Sequence, residues 1–254
     1  MSVSALADAR AARLELERLL ETEGGPLRVA VGPESIDRLE HYVALLLGAN
    51  ERLNLTRVTE PSAIARLHLL DALAALPHVT SPRPERALDL GSGGGVPGIV
   101  LAVVTPETRW TLVDSVGKKV AALAGFVDAL GLSNVDVQSA RAEDLGRGSD
   151  RETVDLVTAR ACAALPVLLE YALPLLRVGG RLIAWKGPMT EAEAHAGRIA
   201  AGELGGGRAT ILTTGIASLG DHVIVVVRKE RATPARYPRR PGEPARRPLG
   251  RADG

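Results

Sequence analysis

The chain has 254 residues, enough for one large α/β domain with a smaller appendage or for two small domains. Charged residues make up 24% and the net charge is only +1, the balance of an ordinary folded protein rather than of a polyelectrolyte. No segment approaches the ~20 apolar residues of a membrane helix, and the single cysteine, Cys162, excludes an internal disulfide and a cysteine-based zinc site.

A soluble, cytoplasmic protein is expected. With 2% aromatic residues, any nucleic-acid contact would rest on charge more than on stacked rings. The basic residues are unevenly spread. From Arg228 to Gly254 nine Lys/Arg stand against three Asp/Glu, a local excess of six.

Residues 1–80 read as an N-terminal helical extension. Leu14, Leu16, Leu19 and Leu20 make an apolar edge, broken by Gly24-Gly25-Pro26. After Pro33, at a position that starts helices, Ile36, Leu39, Val43, Leu46 and Leu47 recur at three- and four-residue steps. A further helix after Thr59-Glu60-Pro61 would place Ile64, Leu67, Leu70 and Leu73 on one face.

Residues 81–230 alternate short apolar runs with amphipathic stretches. Strands are predicted at Ala87–Leu90, Trp110–Val113, Val135–Gln138, Val154–Thr158 and Arg181–Trp185. Helices are predicted at Pro97–Val104, Lys118–Leu130 and Leu165–Leu176. That alternation implies a mostly parallel sheet covered on both faces. Ala209–Thr214 and Val223–Arg228 add two strands that close it antiparallel, seven in all. Residues 231–254, rich in Pro and Arg without apolar periodicity, are expected to be an extended, solvated tail. Its loss should leave any cofactor site intact.

The chemistry concentrates between Asp89 and Asp114. Asp89-Leu-Gly-Ser-Gly-Gly-Gly-Val-Pro-Gly98 follows a strand and precedes a helix, and its glycines let the chain turn sharply beneath a ligand. Gly93-x-Gly95-x-x-Gly98 also satisfies the dinucleotide pattern, so the loop alone leaves a nicotinamide dehydrogenase open. Two acids favour S-adenosylmethionine. Asp89, placed over the loop, would repel a pyrophosphate and attract an ammonium. Asp114, ending the second strand, can accept from both hydroxyls of a ribose. Ala142-Glu143, after the third strand, sits at the edge of the same crevice and could meet adenine. Arg160 ends the fourth strand, where a cation needs a partner: the cofactor's carboxylate or an RNA phosphate. Lys186 ends the fifth and could meet RNA in the same way. Asn54 and Thr56 are expected to cap or turn, and His68 with Asp71 to hold the N-terminal helices against the sheet.

With these residues placed, the chain resembles the bacterial small-subunit ribosomal RNA guanine-N7 methyltransferases, also called the glucose-inhibited division protein B family. The resemblance runs from about Ile36 to Leu249. It rests on Asn54-Leu-Thr56, His68-Leu-Leu-Asp71, Asp89 to Gly98, Leu112-Val-Asp-Ser115 with Gly117-Lys-Lys119, Ser139-Ala-Arg-Ala-Glu143, Ala159-Arg-Ala161, Trp185-Lys-Gly187, Tyr237-Pro-Arg-Arg-Pro-Gly and Arg246-Arg-Pro-Leu249. It implies a Rossmann-like class I methyltransferase fold, with Gly91, Val96, Ala142, Glu143 and Arg160 against S-adenosylmethionine. Gly93 and Asp114 complete the expected cofactor-binding set. It also implies a guanine of 16S ribosomal RNA near the decoding centre as substrate, presented as RNA or as the small ribosomal subunit.

Displacement by the N7 lone pair would require no residue for proton transfer and no metal. No membrane partner is expected. The alternatives are a methyltransferase for another acceptor and a noncatalytic adenosylmethionine-binding module that recognises RNA.

Overall fold

The computed structural model describes residues 2–160 and 163–250. Cys162 and the Ala161 of the Ala159-Arg-Ala161 motif lie outside the described residues, as do the last four of the tail. Seven strands form one sheet: β1 (Arg86–Leu90), β2 (Arg109–Asp114), β3 (Val135–Ser139), β4 (Val154–Arg160), β5 (Leu176–Lys186), β6 (Thr210–Thr213) and β7 (Val223–Arg228). Their order is β3-β2-β1-β4-β5-β7-β6. β1 to β5 run parallel, and β7 pairs antiparallel with both β5 and β6. The order reverses between β1 and β4, the place where a doubly wound sheet opens a crevice at its carboxyl edge.

Alternate residues of each strand face opposite layers, because the side-chain period of a strand is two. On one face pack α1 (Val3–Thr22), α2 (Pro33–Leu53), the helical run α3 over residues 61–73, α4 (Gly98–Val104) and α5 (Gly117–Leu130). On the other pack α6 (Leu165–Ala172) and α7 (Glu191–Leu204), with a single turn at Ala142–Leu145 between β3 and β4. The predicted helix over Leu165–Leu176 ends at Ala172, and β5 already begins at Leu176. Pro174 has no N–H to continue the ladder, which stops the helix there.

α3 is α-helical at Pro61–Ile64, π-helical at Ala65–Leu70 and α-helical again at Asp71–Leu73. The wider π turn shifts the inner face away from the 3.6-residue pattern. Ile64, Leu70 and Leu73 are buried as predicted, but Leu67 is only half-buried, and Ala65, His68 and Leu69 take the inner positions.

The tail is not extended and solvated. Among the described residues, Thr233 and Tyr237 are buried, and Leu249 packs against the layer of α6 and α7. The physical reason is polar rather than apolar. Arg151 donates to the carbonyls of Tyr237 (2.7 Å) and Thr233 (2.6 Å), Arg147 to that of Pro238 (2.9 Å), and the Arg239 guanidinium pairs with the fully buried Glu170. Side chains of the sheet domain satisfy a backbone that makes few hydrogen bonds of its own, so hydropathy alone gave a misleading picture.

Gly98 opens α4 directly under β1, where an added Cβ would stand 2.7 Å from Asp89 Oδ2 and collide with Leu112. Gly98→Ala is therefore expected to destabilise the protein by roughly 1–3 kcal/mol in urea denaturation. Gly125, inside α5 with open space at its Cβ position, should behave oppositely, Gly125→Ala gaining about 0.5–1 kcal/mol. Equal effects at the two sites would show that the packing around Gly98 is not as tight as described.

Candidate active site

The glycine loop is braced from three sides. Ser92 N–H donates to Val113 O (3.0 Å), and Ser92 Oγ donates to Asp89 O (2.9 Å) while accepting from Val113 N–H (3.2 Å). Gly93 N–H donates to Asp114 Oδ2 at 3.0 Å. From the N-terminal layer, the buried Tyr42 of α2 donates its hydroxyl to Gly94 O at 2.8 Å. Gly91, Gly93 and Gly95 all have positive φ (69°, 57° and 108°), a region costly for residues with a Cβ. Tyr42 has no local signature in sequence; its role emerges only when α2 lies across the loop.

Two cavities meet at this loop. One, of about 480 Å³, is lined by Gly91, Asp114, Ala142, Glu143 and Arg160 among others. A smaller one is lined by Gly91, Gly93, Val96, Thr56, His68 and Arg160. They share Gly91 and Arg160, and between them they are lined by all seven residues singled out in the sequence. A third cavity, of about 350 Å³, lies beyond His68 and Arg160 and is lined further by Trp185, Lys186 and His222. Arg160 stands at the junction of all three.

Asp114 is nearly buried, and its carboxylate accepts from Gly93 N–H and from Val116 N–H (2.9 Å), with Lys119 Nζ 3.9 Å away. Each carboxylate oxygen has lone pairs beyond one bond, so this acid can still accept from a ligand. Glu143 is also buried and accepts from Gly242 N–H at 2.8 Å.

Asp89 does not lie over the loop facing a ligand. It is fully buried beneath it, with Oδ1 accepting from Thr158 Oγ1 at 2.7 Å and Oδ2 facing the Gly98 backbone without a hydrogen bond of ordinary geometry. Burial pushes this carboxyl up to about 6, against the lowering effect of Thr158 and other donors. The inward direction follows from strand alternation: Asp89 shares its face with Ala87, which packs against the N-terminal layer.

Arg160 donates to Leu67 O, to Asp71 Oδ2 (3.3 Å) and to His68 Nδ1 (3.3 Å). Asp71 also meets His222 Nδ1 through Oδ1 (3.0 Å), and its carbonyl accepts from Trp185 Nε1 (2.7 Å). His68 and Asp71 thus join the N-terminal helices to β4, β5 and the start of β7. A guanidinium can only donate, so His68 Nδ1 is the acceptor and Nε2–H donates to Thr56 Oγ1 at 2.8 Å. Burial and the Arg160 charge push His68 down to about 4, so it is neutral at pH 7. Asn54 sits in the left-handed region (φ 51°) and ends α2 rather than opening α3, while Thr56 Oγ1 accepts from Val58 N–H. Lys186 is bound to Glu193 (2.7 Å) and to Ala163 O, not presented freely to solvent. Among the described residues no cluster of three His, Cys, Asp or Glu could hold a metal ion, and no helix is long and apolar enough to cross a membrane.

The chain is similar to several known proteins. A "Ribosomal RNA small subunit methyltransferase G" of Moorella thermoacetica is 40% identical over 92% of this chain and 98% of its own length. One of Deinococcus radiodurans is 44% identical over 91% and 92%. Among solved structures, an SAM-dependent O-methyltransferase of Thermotoga maritima shares the fold (TM-score 0.52, 15% identity), covering 74% of this chain and 72% of that one. The family model described as rRNA small subunit methyltransferase G matches residues 35–214. By that match and those identities, the chain belongs to the GidB family of rRNA small subunit methyltransferases.

Proposed function

We propose that this protein transfers the methyl group of S-adenosylmethionine to N7 of a guanine in 16S ribosomal RNA, near the decoding centre. The observation that carries this reading is the pair of compartments meeting at Arg160. The glycine-loop cleft suits an adenosyl cofactor, and the cavity beyond His68 suits an extruded base. A nicotinamide reading accounts for the glycine loop but not for the similarity to methyltransferases over residues 35–214.

The residues fit the cofactor. Loop glycines without Cβ atoms allow close approach, Asp114 offers carboxylate oxygens to a ribose diol, and the Ala142–Glu143 turn walls the place for adenine. S-adenosylmethionine, when bound, supplies an electrophilic methyl on a sulfonium. A bare guanidinium beside a sulfonium would be repelled, and the Asp71 carboxylate next to Arg160 offsets that charge. The N7 lone pair of guanine is free near neutral pH, so the protein's work is alignment rather than proton removal. His68, neutral with both ring nitrogens engaged, is built for positioning and not for titration near pH 7.

RNA phosphates would meet the exposed Arg240, Arg246 and Arg247 of the C-terminal segment. A noncatalytic RNA-recognition module has no specific observation in its favour.

Asp114→Ala is expected to weaken binding of the product S-adenosylhomocysteine by roughly 1–3 kcal/mol in calorimetry. Asp114→Asn, which keeps one acceptor for the loop amides, should fall between. Unchanged affinity in the folded variants would remove Asp114 from the site.

The single-turnover rate, with RNA and cofactor saturating, is expected to be nearly flat between about pH 6.5 and 8.5 and to stay flat in His68→Gln. A tenfold climb per pH unit, lost in one single-residue variant, would argue for another acceptor atom. Stability should depend on His68 differently. Its folded pKa is depressed below the ordinary 6.5, so its contribution is complete above that value and is lost as pH falls toward 4. Between pH 7 and 4.5, His68→Gln should therefore lose on the order of 2 kcal/mol less than the parent. Equal acid sensitivity in urea denaturation would show that His68 is not buried as a neutral base.

A further inference from the structure

The segment 231–250 contributes to the cleft itself. Gly242 and Ala245 line the same cavity as Asp114 and Glu143. We propose that this segment is a strap forming one wall of the nucleoside half of the cofactor cleft, so that cofactor affinity depends on it. The inference rests on reading that cleft as the S-adenosylmethionine site.

Two observations, independent of one another, carry it. The first is inside the cavity. Glu143 is 4% exposed, and the Gly242 amide, held at φ 80°, donates to its Oε1 at 2.8 Å. A buried carboxylate without a donor is costly, so the strap amide helps fix an acid that lines the cavity. With the strap lifted, that acid would turn to water and the cavity would open along one side. Small-ligand sites gain affinity from enclosure, and an open groove loses it.

The second observation is how the strap is fastened, at points away from the cavity lining. Arg239 meets the fully buried Glu170 through its backbone N–H (2.8 Å), Nε (2.9 Å) and a terminal nitrogen (2.6 Å). Tyr237 Oη donates to Glu203 at 2.7 Å, and Arg151 gathers the Thr233 and Tyr237 carbonyls. Beyond the cavity, Gly250 lies so close to α7 that an added Cβ would stand 2.5 Å from Ala196 O. A solvated tail has no need of a buried arginine–carboxylate pair. A wall held in register beside a ligand does.

Two variants of the full chain test this, with S-adenosylhomocysteine as the calorimetric probe. Ala245 is exposed apart from its place in the cavity lining, so Ala245→Trp should fold normally while crowding the ligand. It is expected to lose at least about tenfold in affinity with an unchanged melting temperature, a split that a merely structural role would not give. Arg239→Met, outside the cavity lining, should release the strap and lose about tenfold as well. In the parent, hydrogen exchange at the strap amides, Gly242 included, should slow when the ligand binds. Parental affinity in Ala245→Trp, together with strap exchange indifferent to ligand, overturns the proposal. If Arg239→Met does not fold, Ala245→Trp and the exchange measurement decide. A parent protein that fails to bind S-adenosylhomocysteine at all would instead overturn the assignment of the cleft.

Discussion

The arrangement of the cleft depends on where one positive charge is put. Arg160 ends a central strand, at the carboxyl edge where the strand order reverses, and a guanidinium there must be matched by acceptors. Among the described residues the match comes from α3, through the Leu67 carbonyl, the Asp71 carboxylate and His68 Nδ1. Meeting the requirements of Arg160 therefore fixes how α3 sits at the carboxyl edge of the sheet, beside the cavity beyond His68. The π turn at Ala65–Leu70 belongs to the same solution, since it contains Leu67 and His68 and ends beside Asp71. Removing Arg160 would leave the buried Asp71 carboxylate without its guanidinium, which is why such a pair is costly to break even when its net contribution is small.

The acids of the cleft follow a related rule. Asp114 and Glu143 both accept from a backbone amide of another segment, Gly93 for the first and Gly242 for the second, and Asp114 also accepts from Val116 in its own turn. Each ties down a loop while presenting oxygen to the cavity, so the carboxylates are in place before any ligand arrives. Asp89 does something else. Burial disfavours its ionised form and pushes the carboxyl up to about 6, and Thr158 offsets only part of that shift. An acid in that position braces β1 against β4 beneath the loop and cannot reach an ammonium above it.

What could be read in advance was local. The glycine loop after a strand, Asp114 at the end of the next, Glu143 after the third and Arg160 after the fourth are fixed by their distance along the chain from recognisable elements, and the sheet brings them together by topology alone. What escaped was long-range or broke a period. Tyr42 reaches Gly94 across 52 positions in the sequence. Leu67 left the inner face because the helix widened. The Pro- and Arg-rich end looked solvated because its partners, Glu170, Arg151 and Glu203, are side chains of distant helices and turns that no hydropathy window includes.

These misses lie at the chain's two ends, and the ends are where a widely used sheet becomes a particular site. The fold is shared with an O-methyltransferase at 15% identity, a likeness that says nothing about the acceptor. The relatives at 40% and 44% identity, by contrast, match over nine-tenths of the chain. In the structure, α2 and α3 close the cleft on the side of Val96 and His68, and segment 231–250 closes it on the side of Glu143. Neither closure is built from a strand, and both add to their apolar packing charged or hydroxyl groups bonded to backbone amides and carbonyls. Such contacts need one exact partner at one distance, whereas apolar packing tolerates any side chain of about the right volume. The polar ties to the two ends of the chain therefore shape the walls of the cleft, on a platform supplied by the apolar core beneath.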